Sequence, residues 1–420
     1  MLDLKFIREN PELVKDAVRL KNEKADVDAL LLLDEKRRKL QYDFDMLRSE
    51  QNRVSKQIPI LKKAGEDVSD TLNEMQNIAQ KVKDISAELS IITENLDKAL
   101  LTIPNIPCEG VPVGGEENNR FVRQWGQKKQ FDFEPKDHLQ LAEINELLTL
   151  KRAAKLSGSG FVGYRNKGAR LERALINFML DFHVQKHGYE EVMLPVLVNR
   201  KTMTGTGQLP KLEEDMYHID LDDLFLVPTA EVSVTNLYAE EIMRSEDLPR
   251  KLVSYSPCFR REAGSYGKDT KGLQRLHQFN KVEMVRFTQP EESYTTLEEM
   301  LCDAEDILQA LGLHYRVVTL ATGDLSFASA KTYDLEVWAP GAGKYLEVSS
   351  VSNFEDFQAR RADIRYRDAE GKVKYVHTLN GSGLATPRTF IALLETYQNA
   401  DGTISLPDVL KPYFGECEKK

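Results

Sequence analysis

Residues 253–287 read VSYSPCFRREAGSYGKDTKGLQRLHQFNKVEMVRF. Alternation in the first part puts Ser254, Ser256, Cys258, Arg260 and Glu262 on one face of a strand and Val253, Tyr255 and Phe259 on the other. One face is apolar, the other reactive. The pattern resumes from about His277 to Phe287, with His277, Phe279, Lys281 and Glu283 sharing a face, so the two runs predict an antiparallel hairpin. The connection between them is longer than common hairpin loops and carries Lys268, Lys271 and Arg275, a cationic flap suited to phosphates. The competing reading is a surface hairpin in which Arg260 and Glu262 simply pair in solvent.

Outward from this hairpin, further strand-like runs (LFLVPTAE, YRVVTLAT, TYDLEVWAP, KYLEVSSVS) follow one another with few intervening helices. That order predicts an α+β domain on a mainly antiparallel sheet flanked by helices, rather than a doubly wound parallel one. One flanking helix carries Leu171, Ala174, Leu175, Phe178, Met179 and Phe182 as a core stripe and stops at Gly188. The chain has 420 residues, 41% hydrophobic and 30% charged, the composition of a folded globular protein with two or three domains. No run approaches the ~20 apolar residues of a bilayer span, and the N-terminus lacks a secretory pattern, so a cytoplasmic protein without membrane contact is expected. Cys108, Cys258, Cys302 and Cys417 form no CxxC pair and read as ordinary thiols. With 57 basic against 67 acidic residues, nucleic acid or nucleotide must bind through local patches.

The first hundred residues contain one glycine, Gly65, and two prolines, Pro11 and Pro59. Leu40, Phe44, Leu47, Val54, Ile58 and Leu61 follow a heptad seam with Gln51 in its polar slot. Met75, Ile78, Val82, Ile85, Leu89, Ile92 and Leu96 form a second. Joined by a turn at 64–67, they predict an antiparallel coiled-coil arm ~50 Å long, with Pro59 kinking the first helix. Periodicity alone reads equally as a spacer. The cations Lys36, Arg37, Arg38 and Lys39, with Lys62 and Lys63 near the tip, are candidates for phosphate contacts. The expected organisation is a helical domain over 1–102, a Pro- and Gly-rich linker over 103–130, and the α+β domain over 131–420.

A second informative segment is Gly381–Arg388, GSGLATPR, where Thr386 is a plausible N-cap and Pro387 the first helical residue. Arg388 then sits in a first turn whose dipole disfavours a cation unless an anion lies nearby. Gly341–Tyr345 resembles the end of a P-loop but lacks its Ser/Thr and upstream glycine, and neither HExxH nor GxSxG occurs.

Together these segments resemble, in order, the three signature motifs of class II aminoacyl-tRNA synthetases. GYEEVMLP at 188–195 resembles motif 1, the dimer-building element. Phe259–Glu262 with Arg275–Phe279 resembles motif 2, and Gly381–Arg388 motif 3. More closely, TGTGQLPK at 204–211, PTAE at 228–231, FRREAGSYGKDTKGLQRLHQF at 259–279 and HTLNGSGLATPRT at 377–389 resemble the bacterial-type seryl-tRNA synthetase family. Lys268 and Lys271 stand where that family commonly has arginine.

The resemblance implies a serine–tRNA ligase: activation of L-serine with ATP to an adenylate plus pyrophosphate, then transfer to the 3′ end of tRNA(Ser). Whether tRNA(Sec) is also charged stays open. It implies a homodimer, an arm that grips tRNA, and Mg2+ as cofactor. Arg260, Glu262 and Arg388 are the implied catalytic residues. Serine binding falls to Thr229, Ala230, Glu231, Arg260, Glu283 and Ser382. ATP binding falls to Arg260, Arg261, Glu262, Arg275, Phe279, Glu347, Val348, Ser349, Ser350 and Arg388, with Glu347 and Ser350 as metal ligands. Strand alternation points Glu347 and Ser350 in opposite directions, so that pair requires a bulge or strand end. The alternative is a non-catalytic RNA-binding paralogue. Such proteins usually lose motif residues, whereas Arg260, Glu262, Glu283 and Arg388 are all present.

Overall fold

A computed structural model describes residues 1–263 and 272–415; Lys268, Lys271 and Cys417 lie outside the described residues. The chain divides into two compact units, Leu2–Pro104 and Asn105–Lys420.

In the first unit, α1 (Val27–Ala64) starts at Asp26, whose carboxylate accepts the Ala29 N–H, and ends at Gly65 with φ 77°. Glycine takes that left-handed conformation without a Cβ clash, and the chain reverses there into α2 (Ser69–Leu100). At 1.5 Å per residue, their 38 and 32 residues span about 57 and 48 Å. Val54, Ile78 and Val82 are buried between them, flanked by Phe44, Leu47 and Met75. Two amphipathic stripes of this kind bury little unless they face each other. Pro59 lies inside α1 without ending it. The basic run 36–39 is less free than its sequence suggests. Arg37 and Arg38 pair with Asp34 at 3.0 and 3.1 Å, Arg8 reaches the same carboxylate at 3.0 Å, and Lys36 pairs with Glu88 at 3.0 Å. Asp34 is fully buried, and a buried carboxylate requires such partners.

In the second unit, β1 (Arg120–Trp125) precedes α3 (Asn166–His187), β2 (Glu190–Glu191) and the short α4 (Glu231–Thr235). The hairpin β3 (Arg250–Phe259) and β4 (Gln278–Thr288) follows, then α5 (Ser293–Ala310) and β5 (Tyr315–Thr319). The unit closes with β6 (Lys331–Ala339), β7 (Lys344–Asn353), β8 (His377–Ala385) and α6 (Thr386–Thr396). These strands form one eight-stranded sheet in the order β1-β5-β6-β7-β8-β4-β3-β2, and every pairing is antiparallel except β2 with β3. The apolar face of the hairpin, Val253, Val282 and Met284, packs in one core with Leu175 and Met179 of α3, Leu301 of α5 and Phe390 of α6. On the opposite face Leu252, Val285 and Phe287 enter a second core, and the stretch with Phe279, Lys281 and Glu283 is left for chemistry.

The span 103–130 is not a featureless linker. Asn105 is buried and its side-chain amide donates to the carbonyls of Ala328 and Phe354, both at 2.9 Å. RFVRQW at 120–125 is the sheet's edge strand, paired with β5. Proline and glycine break the preceding residues, but six residues with one free edge need only a single neighbour to be a strand. Among the described residues Cys108, Cys258 and Cys302 are free thiols.

Candidate active site

A cavity of about 690 Å3 lies over the polar face of the β3–β4 hairpin. Alternation along β4 sends Phe279, Lys281 and Glu283 to its floor, while Val282 and Met284 enter the core. Arg260 and Glu262, just past the end of β3, Arg275 just before β4, and Arg388 in the first turn of α6 also line it. So do Thr229 and Glu231 from the start of α4, and Ser382 from β8.

The bulge demanded by Glu347 and Ser350 is present. In the β6–β7 ladder Leu335 faces Ser349 and Glu336 faces Glu347, so Val348 is the extra residue. Glu347, Val348 and Ser350 all reach the cavity as a result. Three expected residues do not line it. Ser349 is buried and its hydroxyl donates to the Ser382 carbonyl at 2.6 Å. Ala230 is packed in a core with Val234, Leu252 and Phe287. Arg261 is exposed, its N–H bonded to the Asp215 carbonyl at 2.8 Å. Thr386 is not an N-cap: Ala385 occupies that position, and the Thr386 hydroxyl donates to the buried Glu172 carboxylate. The helix begins one residue earlier than the sequence places it, so Thr386 is its first residue and not its cap.

The side chains hold one another in defined places. The Arg260 Nε donates to the Pro228 carbonyl at 3.4 Å, and its guanidinium lies 5.2 Å from the Phe279 ring centroid. Arg275 pairs with Glu262 at 2.5 Å, and Glu262 takes φ 52°, a left-handed conformation uncommon for a side chain other than glycine. Arg388 donates from Nη1 to the Glu347 carbonyl at 2.9 Å and carboxylate at 3.2 Å, and from Nε to the Gln274 carbonyl at 3.2 Å. At the other end, Glu283 is fully buried, with Lys281 Nζ 2.5 Å from its Oε2 and the Asn380 amide donating to its Oε1 at 2.9 Å. Glu231 accepts from the buried Gln358 amide at 2.7 Å. Its carboxyl is pushed up to about 7, first by burial and then by the neighbouring Glu283. The cavity therefore has an arginine-rich mouth and a small acidic end.

The first 107 residues match the seryl-tRNA synthetase N-terminal domain. Residues 214–397 match the class II tRNA synthetase core domain of the G, H, P, S and T group. A serine–tRNA ligase from Caldanaerobacter subterraneus subsp. tengcongensis is 56% identical over 415 residues, 98% of each chain. One from Caldicellulosiruptor bescii is 55% identical over 416 residues, 99% of each. The chain belongs to the seryl-tRNA synthetase family. A crystal structure of the Pyrococcus horikoshii seryl-tRNA synthetase complexed with ATP superposes with a TM-score of 0.93 at 40% identity. The match covers 99% of this chain and 98% of that one.

With the family established, several lining residues stand out that sequence reading left without a role. Thr206, Gly207 and Gln208, inside the quoted TGTGQLPK, line the cavity, as do Lys281 and Asn380. Alternation had already put Lys281 on the face of Glu283. Asn380 carried no signal, because its role depends on β8 pairing beside β4.

Proposed function

We propose that this member of the seryl-tRNA synthetase family joins L-serine to ATP in the cavity and passes the seryl group to the 3′ end of tRNA(Ser), with Arg260 shared by both reactants. The observation that carries this reading is the placement of Arg260 on one cavity wall with the buried acidic end formed by Glu231 and Glu283. The serine ammonium meets Glu231 and Glu283, and its hydroxyl meets the small polar surface that includes Thr229 and Ser382. A pocket whose buried polar groups are left unpaired by alanine rejects it by ~10⁴-fold, and closure around the hydroxyl excludes the extra methyl of threonine. The serine carboxylate, steered by the Arg260 fork, attacks the α-phosphorus; the bond to the pyrophosphate oxygen breaks and pyrophosphate leaves. A ribose hydroxyl of the tRNA end then attacks the seryl carbonyl, loses its proton, and expels AMP. No side chain is a covalent nucleophile, so catalysis is positioning and charge neutralisation.

For the nucleotide, Phe279 offers a ring face, Arg388 a planar cation, Glu262 an acceptor for the adenine amino group, and Arg275 a cation for the distal phosphates. Glu262 and Arg275 then exchange their mutual pair for the ligand. The donor set fits Mg2+. Glu347 and Ser350 supply oxygens to the cavity, and Asp334, opposite Ser350 in the ladder, has a buried Oδ1 without a hydrogen-bond partner. Glu347 and Ser350 would hold the cation, which would neutralise phosphate charge on bound ATP. The arm supplies the tRNA grip, and Met193, 84% exposed beside β2, is placed to be covered in a homodimer. No described helix is long and apolar enough to cross a membrane, and the cytoplasm is the proposed place of reaction.

Glu231 gives a test. Its carboxyl holds a proton up to about pH 7, and a bound ammonium favours the charged form, so serine binding must expel that proton at lower pH. The serine KM in pyrophosphate exchange should rise as pH falls below about 7, approaching tenfold per unit, while the ATP KM stays flat. Glu231→Gln should raise the serine KM at every pH and flatten the profile. A flat wild-type profile, or a normal serine KM in Glu231→Gln, contradicts the assignment.

A further inference from the structure

Helix α3 has an apolar stripe that is not wholly apolar. Glu172, Met179 and His183 are 5%, 0% and 0% exposed. Their spacing of seven and four residues, at about 100° per residue, keeps all three within about 20° of one line along the helix. Each offers a polar atom to the same short segment of chain. The Thr386 hydroxyl donates to Glu172, the Leu384 N–H donates to the Met179 sulfur at 3.2 Å, and a ring nitrogen of His183 meets the Gly383 carbonyl at 2.8 Å.

That segment needs them, because the β8–β4 ladder breaks there. Ser382 pairs with Glu283 and Ala385 with Lys281, so Gly383 and Leu384 together face one residue and lose regular ladder partners. The fit is tight: a Cβ on Gly383 would lie 2.4 Å from His183 Nε2. Burial pushes the His183 imidazole down to about 4, so it is neutral near pH 7. A carbonyl can only accept, which places the His183 proton on Nε2, while Nδ1 lies 3.0 Å from His187 Nδ1. His187 is held in turn by Asp306 at 3.1 Å. Both edges of the His183 ring are therefore fixed.

We propose that Glu172, Met179 and His183 are positioning residues that replace the missing ladder between Ser382 and Arg388 and so set where those two side chains stand in the cavity. The inference rests on the reading that Ser382 meets serine and Arg388 the nucleotide. An error of about 1 Å in such groups costs up to ~100-fold in rate. His183→Ala should raise the serine and ATP KM values in pyrophosphate exchange about tenfold or more, and His183→Gln, which keeps a donor for the Gly383 carbonyl, should recover most of the loss. Thr386→Val, nearly isosteric, should shift both KM values the same way and serves alone if His183→Ala fails to fold. A purely structural role would lower the melting temperature and the active fraction while leaving both KM values in place. Unchanged KM values in the folded variants, or His183→Gln no better than His183→Ala, overturn the proposal. Glu231→Gln separates the two levels: a normal serine KM there removes the site reading itself, whereas a raised one alongside normal His183 variants removes only this inference.

Discussion

Arg260→Ala is expected to reduce serine-dependent pyrophosphate exchange by at least about 10³-fold while the protein stays folded. Removing a single oxyanion-stabilising donor from an enzyme costs roughly 10²–10³, and here one guanidinium serves the attacking carboxylate and the α-phosphate together, so both orientation and charge stabilisation are lost. The effect on folding should be small. Arg260 is half-buried, its Nε bond to Pro228 is long at 3.4 Å, and its guanidinium lies 5.2 Å from the Phe279 ring centroid. Losing such contacts costs about 1 kcal/mol. Arg260→Lys keeps the charge but not the two-pronged geometry, and should remain severely impaired. Exchange assays beside thermal melts check both halves, and near-normal exchange in Arg260→Ala contradicts the shared-anchor role.

The second large effect concerns the arm. Replacing residues 41–84 with a short turn removes the tip half of α1 and α2 but keeps Asp34, its three arginines and the Lys36–Glu88 pair. Every cavity residue lies in the other unit, so serine-dependent exchange should stay within about twofold of the intact chain, since interactions made far from a reaction centre leave its local geometry alone. Charging of tRNA(Ser) should fall by about 10²-fold or more, with the loss in the tRNA KM, because a protein of net charge −10 holds a polyanion only through local contacts. Undiminished charging by the shortened chain assigns the arm a role other than tRNA binding.

The parts of this architecture legible in the sequence are those written in local periodicity. The arm follows from two heptad seams around Gly65, since stripes of that spacing have only each other to bury against. The β3–β4 hairpin follows from two alternating runs. Once the family resemblance put Glu347 and Ser350 in one site, a bulge or a strand end was required between them, and the structure has the bulge at Val348. What escaped depended on partners far away in the chain. RFVRQW became an edge strand through pairing with residues almost two hundred positions on, which composition does not encode. Arg37 and Arg38 read as free cations because the burial of Asp34 beneath Arg8 is a tertiary fact. Thr386 has the composition of an N-cap, but Glu172, more than two hundred residues earlier, takes its hydroxyl. The side chains of Ser349 and Ala230 face the interior, which leaves these two residues only their backbone atoms to offer a ligand.

The central claim is that the acidic end of the cavity selects serine while Arg260 joins it to ATP. Exchange of labelled pyrophosphate into ATP, measured with serine, alanine, threonine and no amino acid in turn, tests it most directly. Exchange with serine and at most traces with the other three are expected. No exchange with serine, or stronger exchange with threonine or alanine, contradicts it.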